Sequence, residues 1–341
     1  MGIIGIIANP ASGKDVRRLV ARASVFDNQQ KQAIVGRALT GILAAAQGNC
    51  RIAYLDDQHG IVRGALEEAG RNLEAVPVAG AGTSSALDTV RAAACFESLG
   101  CRVVLTLGGD GNNRAVAVGW PMAPLIPIST GTNNVFPVLM EGTVAGAAAG
   151  LIGSGRIELD QVAAQAKLIR VQIDGEADDL ALIDAVLSSE RFVGAKALLA
   201  PEHLRAALLT RANPAGVGIT ALGGLLQPVD GAEDCGLHLT LSSDGQALNA
   251  PLAPGYYCRV GISGCRRIPL GEVIRLEGPG VLAFDGERER VLMPGQRVHL
   301  SIERAGPRVV DVLRVMHLAA RHGWFHLPAK RQDHETFNNG I

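Results

Sequence analysis

Aromatic side chains are scarce in this chain, only 4% of its 341 residues. The scarcity argues against nucleic-acid binding by base stacking. It also provides no aromatic-anchored loop for docking on a membrane. A surplus of charge is missing as well: 32 Lys and Arg stand against 33 Asp and Glu, so no overall field draws the chain to DNA, RNA or an anionic surface. The six cysteines, Cys50, Cys95, Cys101, Cys235, Cys258 and Cys265, form no C-x-x-C pair at zinc spacing. They read as reduced thiols of a cytoplasmic protein. No apolar run reaches the roughly 20 residues of a membrane span. The apolar start, Met1 to Ala8, lacks a basic leader and runs into Asn9-Pro10, so it reads as a first strand rather than a signal peptide.

What is present is an aliphatic, glycine-rich chain, 48% hydrophobic with 42 glycines, long enough for two domains. To about residue 152, short apolar runs alternate with longer amphipathic or alanine-rich ones, the pattern of a parallel sheet. The expected strands are Ile3 to Ala8, Arg51 to Leu55, Ala75 to Val78, Arg102 to Leu107 and Leu125 to Ile128. The expected helices are Gln29 to Gln47, Ile61 to Gly70, Ser84 to Leu99, Arg114 to Val118 and Thr143 to Leu151. Beyond Gly153-Ser154-Gly155, residues 156–327 carry frequent turn dipeptides such as Asp174-Gly175, Asp244-Gly245 and Pro294-Gly295, and read as a second, β-rich region for substrate binding and oligomerisation. Within it, Pro201 to Thr210 and Arg308 to His322 read as helices, and 328–341 as a polar tail.

Three turns follow strands, where open parallel sheets bind ligands. Gly108-Gly109-Asp110-Gly111-Asn112-Asn113 offers bare backbone to phosphate oxygens ahead of a helix N-terminus. A carboxylate in such an anion-binding turn needs a task, such as accepting a proton or standing beside a metal; the alternative is a Gly-Asp-Gly turn used for geometry alone. Ser129-Thr130-Gly131-Thr132-Asn133-Asn134 is polar without charge and suits phosphate or sugar hydroxyls. Asn9-Pro10-Ala11-Ser12-Gly13-Lys14 lacks Walker A spacing, yet Lys14 could neutralise a phosphate.

N-P-x-S-G, then G-G-D-G, then P-x-x-T-G-T-N-N and a late Asp285-Gly286-Glu287 together resemble the NAD kinase and diacylglycerol kinase superfamily. Within it, the stretch Phe26 to Lys31 and the run Ser129 to Pro137 look most like the acetoin-catabolism protein X branch. The resemblance implies an N-terminal Rossmann-like α/β domain, a C-terminal β-sandwich-like domain and an active site between them. It implies ATP and Mg²⁺ as cofactors, Asp110 as the essential acidic residue, general base or metal-adjacent carboxylate, near the acceptor hydroxyl, and Asn9, Ser12, Gly13, Lys14, Gly108, Gly109, Gly111, Asn112, Thr130, Gly131, Thr132, Asn133 and Asn134 around the nucleotide. Asp184, Gly216 and Asp285 are the implied acceptor contacts, Gly216 lying in a glycine-rich crossover, Asn213 to Gly224. Two positions depart from the family. Asn112 replaces the usual threonine, and Ala181-Leu182-Ile183-Asp184 stands where NAD kinases have A-L-N-E, so Ile183 removes a polar contact from the expected acceptor pocket. The expectation is a homo-oligomeric, cytoplasmic kinase of a small molecule, NAD or another hydroxylated metabolite, with a non-catalytic nucleotide-binding regulator as the alternative.

Overall fold

The computed structural model describes residues 1–12, 26–70, 73–80, 82–83, 85–131, 134–189, 201–286 and 288–326. The N-terminal half alternates strand and helix: β1 (Gly2–Ala8), α1 (Asn28–Ala46), β2 (Cys50–Asp56), α2 (Ile61–Ala69), β3 (Ala75–Ala79), α3 (Ala86–Ser98), β4 (Cys101–Gly108), α4 (Asp110–Gly119), β5 (Pro124–Ser129) and α5 (Gly142–Gly153). The order β3-β2-β1-β4-β5 is parallel throughout. Alternate residues of one strand serve opposite cores: Ile4 and Ile6 of β1 join the layer of α1 and α5, while Ile7 joins the layer holding Ala92, Ala93 and Phe96 of α3. Local chemistry sets the helix ends. Asp27 closes a capping box with Gln30 at the start of α1, and Ser85 caps α3. Helices α1 and α5 approach so closely that a Cβ on Gly146 would fall 1.9 Å from the Ala38 carbonyl oxygen.

The second half supplies β6 (Ala163–Gln165), β7 (Leu168–Ile173), β8 (Asp179–Ala181), β9 (Asp184–Ser188), β10 (Leu204–Leu209), α6 (Ile219–Leu226), β11 (Cys235–Ala253), β12 (Tyr256–Pro269), β13 (Val273–Glu277), β14 (Gly280–Phe284), β15 (Arg288–Leu292), β16 (Arg297–Glu303), β17 (Arg308–Val310) and α7 (Val312–Arg321). A six-stranded sheet, β12-β11-β10-β9-β14-β15, faces a four-stranded one, β13-β16-β7-β8. Between them lie Leu187, Leu208 and Phe284 from one sheet and Val171, Val298 and Leu300 from the other, the core of a sandwich.

Two expected helices are corrected. In Pro201 to Thr210 only Pro201–His203 makes a single 3₁₀ turn, and Leu204–Leu209 is strand β10. Its Ala206 and Leu208 enter the sandwich core while Ala207 and Leu209 pack under α6, so both faces are apolar and the sequence shows no alternation. In Arg308 to His322, Asp311 accepts the Arg314 N–H at 3.0 Å and starts the helix there. The preceding Arg308–Val310 pairs with β5 and β6 instead. The first sheet is thus completed by strands from beyond residue 155, in the order β5-β17-β6, and α7 buries Val315 and Ala319 against its core. The expected tail, 328–341, lies outside the described residues.

One contact ties the two halves beside the strand ends. Arg114 of α4, 5% exposed, pairs with Asp179 of β8, whose other oxygen meets Arg290 at 3.3 Å, and its guanidinium lies over the Phe284 ring at 5.7 Å.

Candidate active site

Strands β1, β4 and β5 end side by side, and their turns converge. The Thr130 N–H donates to the Gly108 carbonyl, Asn9 donates to Leu107, and the Ser12 and Thr130 hydroxyls meet at 2.8 Å. Lys31 of α1 is fully buried beneath the first turn and donates to the carbonyls of Asn9, Pro10 and Ser12 at 2.9, 3.1 and 2.8 Å. Three oriented carbonyl dipoles offset the cost of burying the ammonium and fix that turn.

Helix α4 begins at Asp110, four residues before the expected Arg114, so Gly109 is its N-cap and Asp110 sits in its first turn. The Asp110 carboxylate leaves the helix to accept hydrogen bonds from Val135 N–H, at 3.0 and 3.1 Å to its two oxygens, and from Phe136 N–H at 2.8 Å. Burial pushes this carboxyl up to about 7, with a further upward push from the Asp285 charge; the two amides and the Arg211 cation pull the other way. A carboxylate has about four lone-pair positions, so one remains for a ligand hydroxyl.

The neighbours hold this geometry. Asn113 accepts from Thr106 at 2.7 Å and donates to Gly109 O at 2.9 Å. Asn112 accepts from Thr89 at 3.2 Å, while its buried Nδ2 has no partner. That amide lies so close to the main chain that a Cβ on Gly108 would be 2.6 Å from Nδ2. Asn134 donates to the Ser129 hydroxyl at 2.7 Å.

Among the described residues, two clefts open here. The larger, about 770 Å³, lies between the turn after β5 and the loops of the second half; Ser129, Gly131, Asn134, Arg211, Asn213 and Gly216 line it. The smaller, about 410 Å³, sits over the ends of β1, β2 and β3, walled by Pro10, Leu55, Pro77 and Ala79, with Asn9 and Asp88 on its lining. Ser12 and Thr130 connect the turns that border the two.

The structure therefore brings together Asn9, Ser12, Gly108, Gly109, Asp110, Gly111, Asn112, Thr130, Gly131 and Asn134, with Gly216 across the larger cleft. Gly13, Lys14, Thr132 and Asn133 lie outside the described residues. Asp184 and Asp285 line neither cleft, and Asp110 itself stands just behind the larger one, bonded to Val135 of its lining. Asp285, 5% exposed, instead accepts from the N–H groups of Leu182, Ile183 and Asp184 and pins that turn to β14; burial pushes its carboxyl up to about 6. Ile183 is also corrected: it is 1% exposed and packs in the core with Leu182 and Phe136, so its side chain forms no part of the expected acceptor pocket. Among the described residues no three His, Cys, Asp or Glu side chains group as a metal cage.

Sequence reasoning missed Arg211. It lies just past the end of β10, with Thr210 between, and reading that segment as a helix concealed the strand end. An apolar run stopping at a cation before Asn213-Pro214-Ala215-Gly216 was the available signal. The role of Lys31 was also missed, since a buried lysine bonded to carbonyls leaves no trace in sequence.

Residues 4–157 match the model of the ATP-NAD kinase N-terminal domain, and 167–305 that of the acetoin catabolism protein X C-terminal domain. The chain is 36% identical over 339 residues to acetoin catabolism protein X of Cupriavidus necator, covering 94% of this chain and 93% of that protein. Among solved structures it superposes on yeast NADH kinase complexed with NADH, TM-score 0.55 at 13% identity, covering 100% of this chain and 89% of the other. That likeness shows the fold.

Proposed function

The chain belongs to the acetoin catabolism protein X family, with an NAD kinase-type N-terminal domain, and from that premise we propose that it is an ATP-dependent kinase of a small hydroxylated acceptor. The observation that carries this reading is the Asp110 carboxylate, held by two main-chain N–H groups at the mouth of α4, with burial placing its pKa about 7. A base poised near neutral pH accepts a proton most effectively there. Asp110 takes the proton of the acceptor hydroxyl as its oxygen bonds to the γ-phosphorus of ATP. The bond from that phosphorus to the bridging oxygen breaks, and ADP leaves.

The smaller, mostly apolar cleft suits an adenine ring with ribose hydroxyls near Asn9 and Asp88. The turns at Gly108–Gly111 and Ser129–Gly131 suit its phosphates, as bare main chain and a helix N-terminus do. The larger cleft takes the acceptor. Its 770 Å³ admits a ligand of dinucleotide size or something smaller, so NAD and another hydroxylated metabolite both remain acceptors under this reading. Magnesium commonly reaches such sites on the substrate's phosphates, with one or two carboxylates. The described acidic residues form no cage that fits it alone, and Asp110 is already engaged by Val135 and Phe136.

The test is transfer of labelled phosphate from ATP to a panel of hydroxylated metabolites, with NAD included and Asp110→Asn as control. Transfer by the wild type and not by the variant is expected. A wild type that binds ATP but labels nothing would sink the kinase reading in favour of a nucleotide-binding regulator.

A further inference from the structure

The larger cleft contains a cation that the proposed transfer step leaves unused. Arg211 sits where β10 ends, half-buried, with its guanidinium 5.7 Å from the centre of the Phe136 ring. Its buried Nε has no hydrogen-bond partner, and no described residue forms a hydrogen bond or ion pair with the rest of the group. The negative charges that face it are Asp110 and Asp230, both felt through space. Neither is free to turn toward it: Asp110 is held by Val135 and Phe136, and Asp230 accepts from Ala232 N–H at 2.8 Å. Glu233, also on the cleft, is committed to Arg267 at 2.7 Å.

Burying a guanidinium without a partner is costly. Among the described residues the fully buried cations are all paired: Lys31 and Lys167 each hold three carbonyls, and Arg114 holds Asp179 and Leu180 O. Among the described residues, only Arg211 presents an unused planar fork of donors to a cavity. Phe136 also fixes the distance to the chemistry, since its ring carries Arg211 and its N–H holds Asp110.

Resting on the kinase reading of this site, we infer that Arg211 is the specificity-determining residue for the acceptor, pairing a compact oxyanion that the acceptor itself carries, a phosphate or a carboxylate. The fork matches either group with two parallel hydrogen bonds. The hydroxyl to be phosphorylated then lies within the same small molecule, between that anion and Asp110. Neutral polyols are excluded as good acceptors, because they would leave the guanidinium buried and unpaired.

The test needs no knowledge of the acceptor. Thermal melting of the full chain is followed with inorganic phosphate and, separately, malonate at about 20 mM, since an anion that binds only the folded state raises Tm. At least one anion is expected to stabilise the wild type, phosphate alone indicating a phosphorylated acceptor and malonate a carboxylic acid. The shift disappears in Arg211→Met and is reduced in Arg211→Lys, which keeps the charge without the fork. Without anions, Arg211→Met melts no more than a degree or two from the wild type, as no hydrogen bond or ion pair is lost and methionine can pack on the Phe136 ring in place of the guanidinium; if Met is not tolerated, Arg211→Lys still reports. No shift in the wild type with either anion, or an equal shift in both variants, overturns the inference. For the acceptor identified by phosphate transfer, Arg211→Met raises KM at least about tenfold with kcat within about threefold; a loss confined to kcat would place Arg211 on the transferred phosphoryl group and also overturn it. An anion response that depends on Arg211 in a protein that transfers no phosphate would sink the kinase reading and leave the anion site standing.

Discussion

Phe136 donates its main-chain N–H to the carboxylate of Asp110 at 2.8 Å, across 26 positions of sequence. This bond and its neighbour from Val135 orient the base without any side-chain partner. Asp110→Asn keeps an oxygen that can accept both bonds and removes the proton acceptor. Phosphoryl transfer is expected to fall at least about a hundredfold, the usual scale for losing a general base, with an unchanged circular dichroism spectrum. Turnover within a few-fold of wild type would remove Asp110 from the chemistry.

The same carboxyl links activity and stability to pH in opposite senses. Burial raises Asp110 from 3.8 to about 7 and Asp285 from 3.8 to about 6. Both folded-state values lie above the unfolded ones, so the folded form binds the extra protons. Their contribution to stability is full below pH about 4 and is lost as pH rises to about 7. The Tm of the ligand-free wild type is therefore expected to fall across that window more steeply than that of Asp110→Asn, where one titration is absent. The activity runs the other way, with kcat/KM rising through an apparent pKa near 7 as the base ionises. Parallel Tm profiles for the two proteins would contradict the raised value.

Lys31 offers a test of how the first turn is built. Lys31→Met leaves the carbonyls of Asn9, Pro10 and Ser12 without their donor. Unsatisfied buried acceptors cost about 1–3 kcal/mol each, less where water reaches them, so a loss of about 2–4 kcal/mol is expected from urea unfolding. The Ser12 to Thr130 bond should loosen with it and weaken ATP binding. A variant as stable as wild type, with ATP affinity retained, would make Lys31 a passenger.

The parallel sheet and the glycine turns were legible because they rest on local signals: apolar runs of strand length, caps such as Asp27 and Ser85, and Gly108-Gly109 followed by a helix. The site residues from Asn9 to Asn134 follow from those turns, since strand order brings the ends of β1, β4 and β5 together. What the sequence concealed depends on contacts across long separations. β10 reads as a helix because both of its faces are covered, and β17 because its partners β5 and β6 are distant in sequence. Asp285 looked like a ligand contact because nothing local shows that its carboxylate closes the turn at Leu182 to Asp184.

Ile183 gives the last prediction. Read from sequence, this position is where an asparagine would grip the dinucleotide, so Ile183→Asn ought to improve NAD as an acceptor. The fold reverses that expectation. Ile183 is 1% exposed, in an apolar cluster with Leu182, Phe136 and Val116, and its own N–H is already bonded to Asp285 at 2.7 Å. An asparagine there buries an amide among hydrocarbon and removes packed methyl groups, a combined cost of about 2–4 kcal/mol. Because Phe136 belongs to the same cluster and also orients Asp110, some of that disturbance reaches the base. Ile183→Asn is therefore expected to melt several degrees lower, with phosphoryl transfer to every acceptor equal to or below wild type. Faster use of NAD at an unchanged Tm would show that the side chain at 183 reaches the ligand after all.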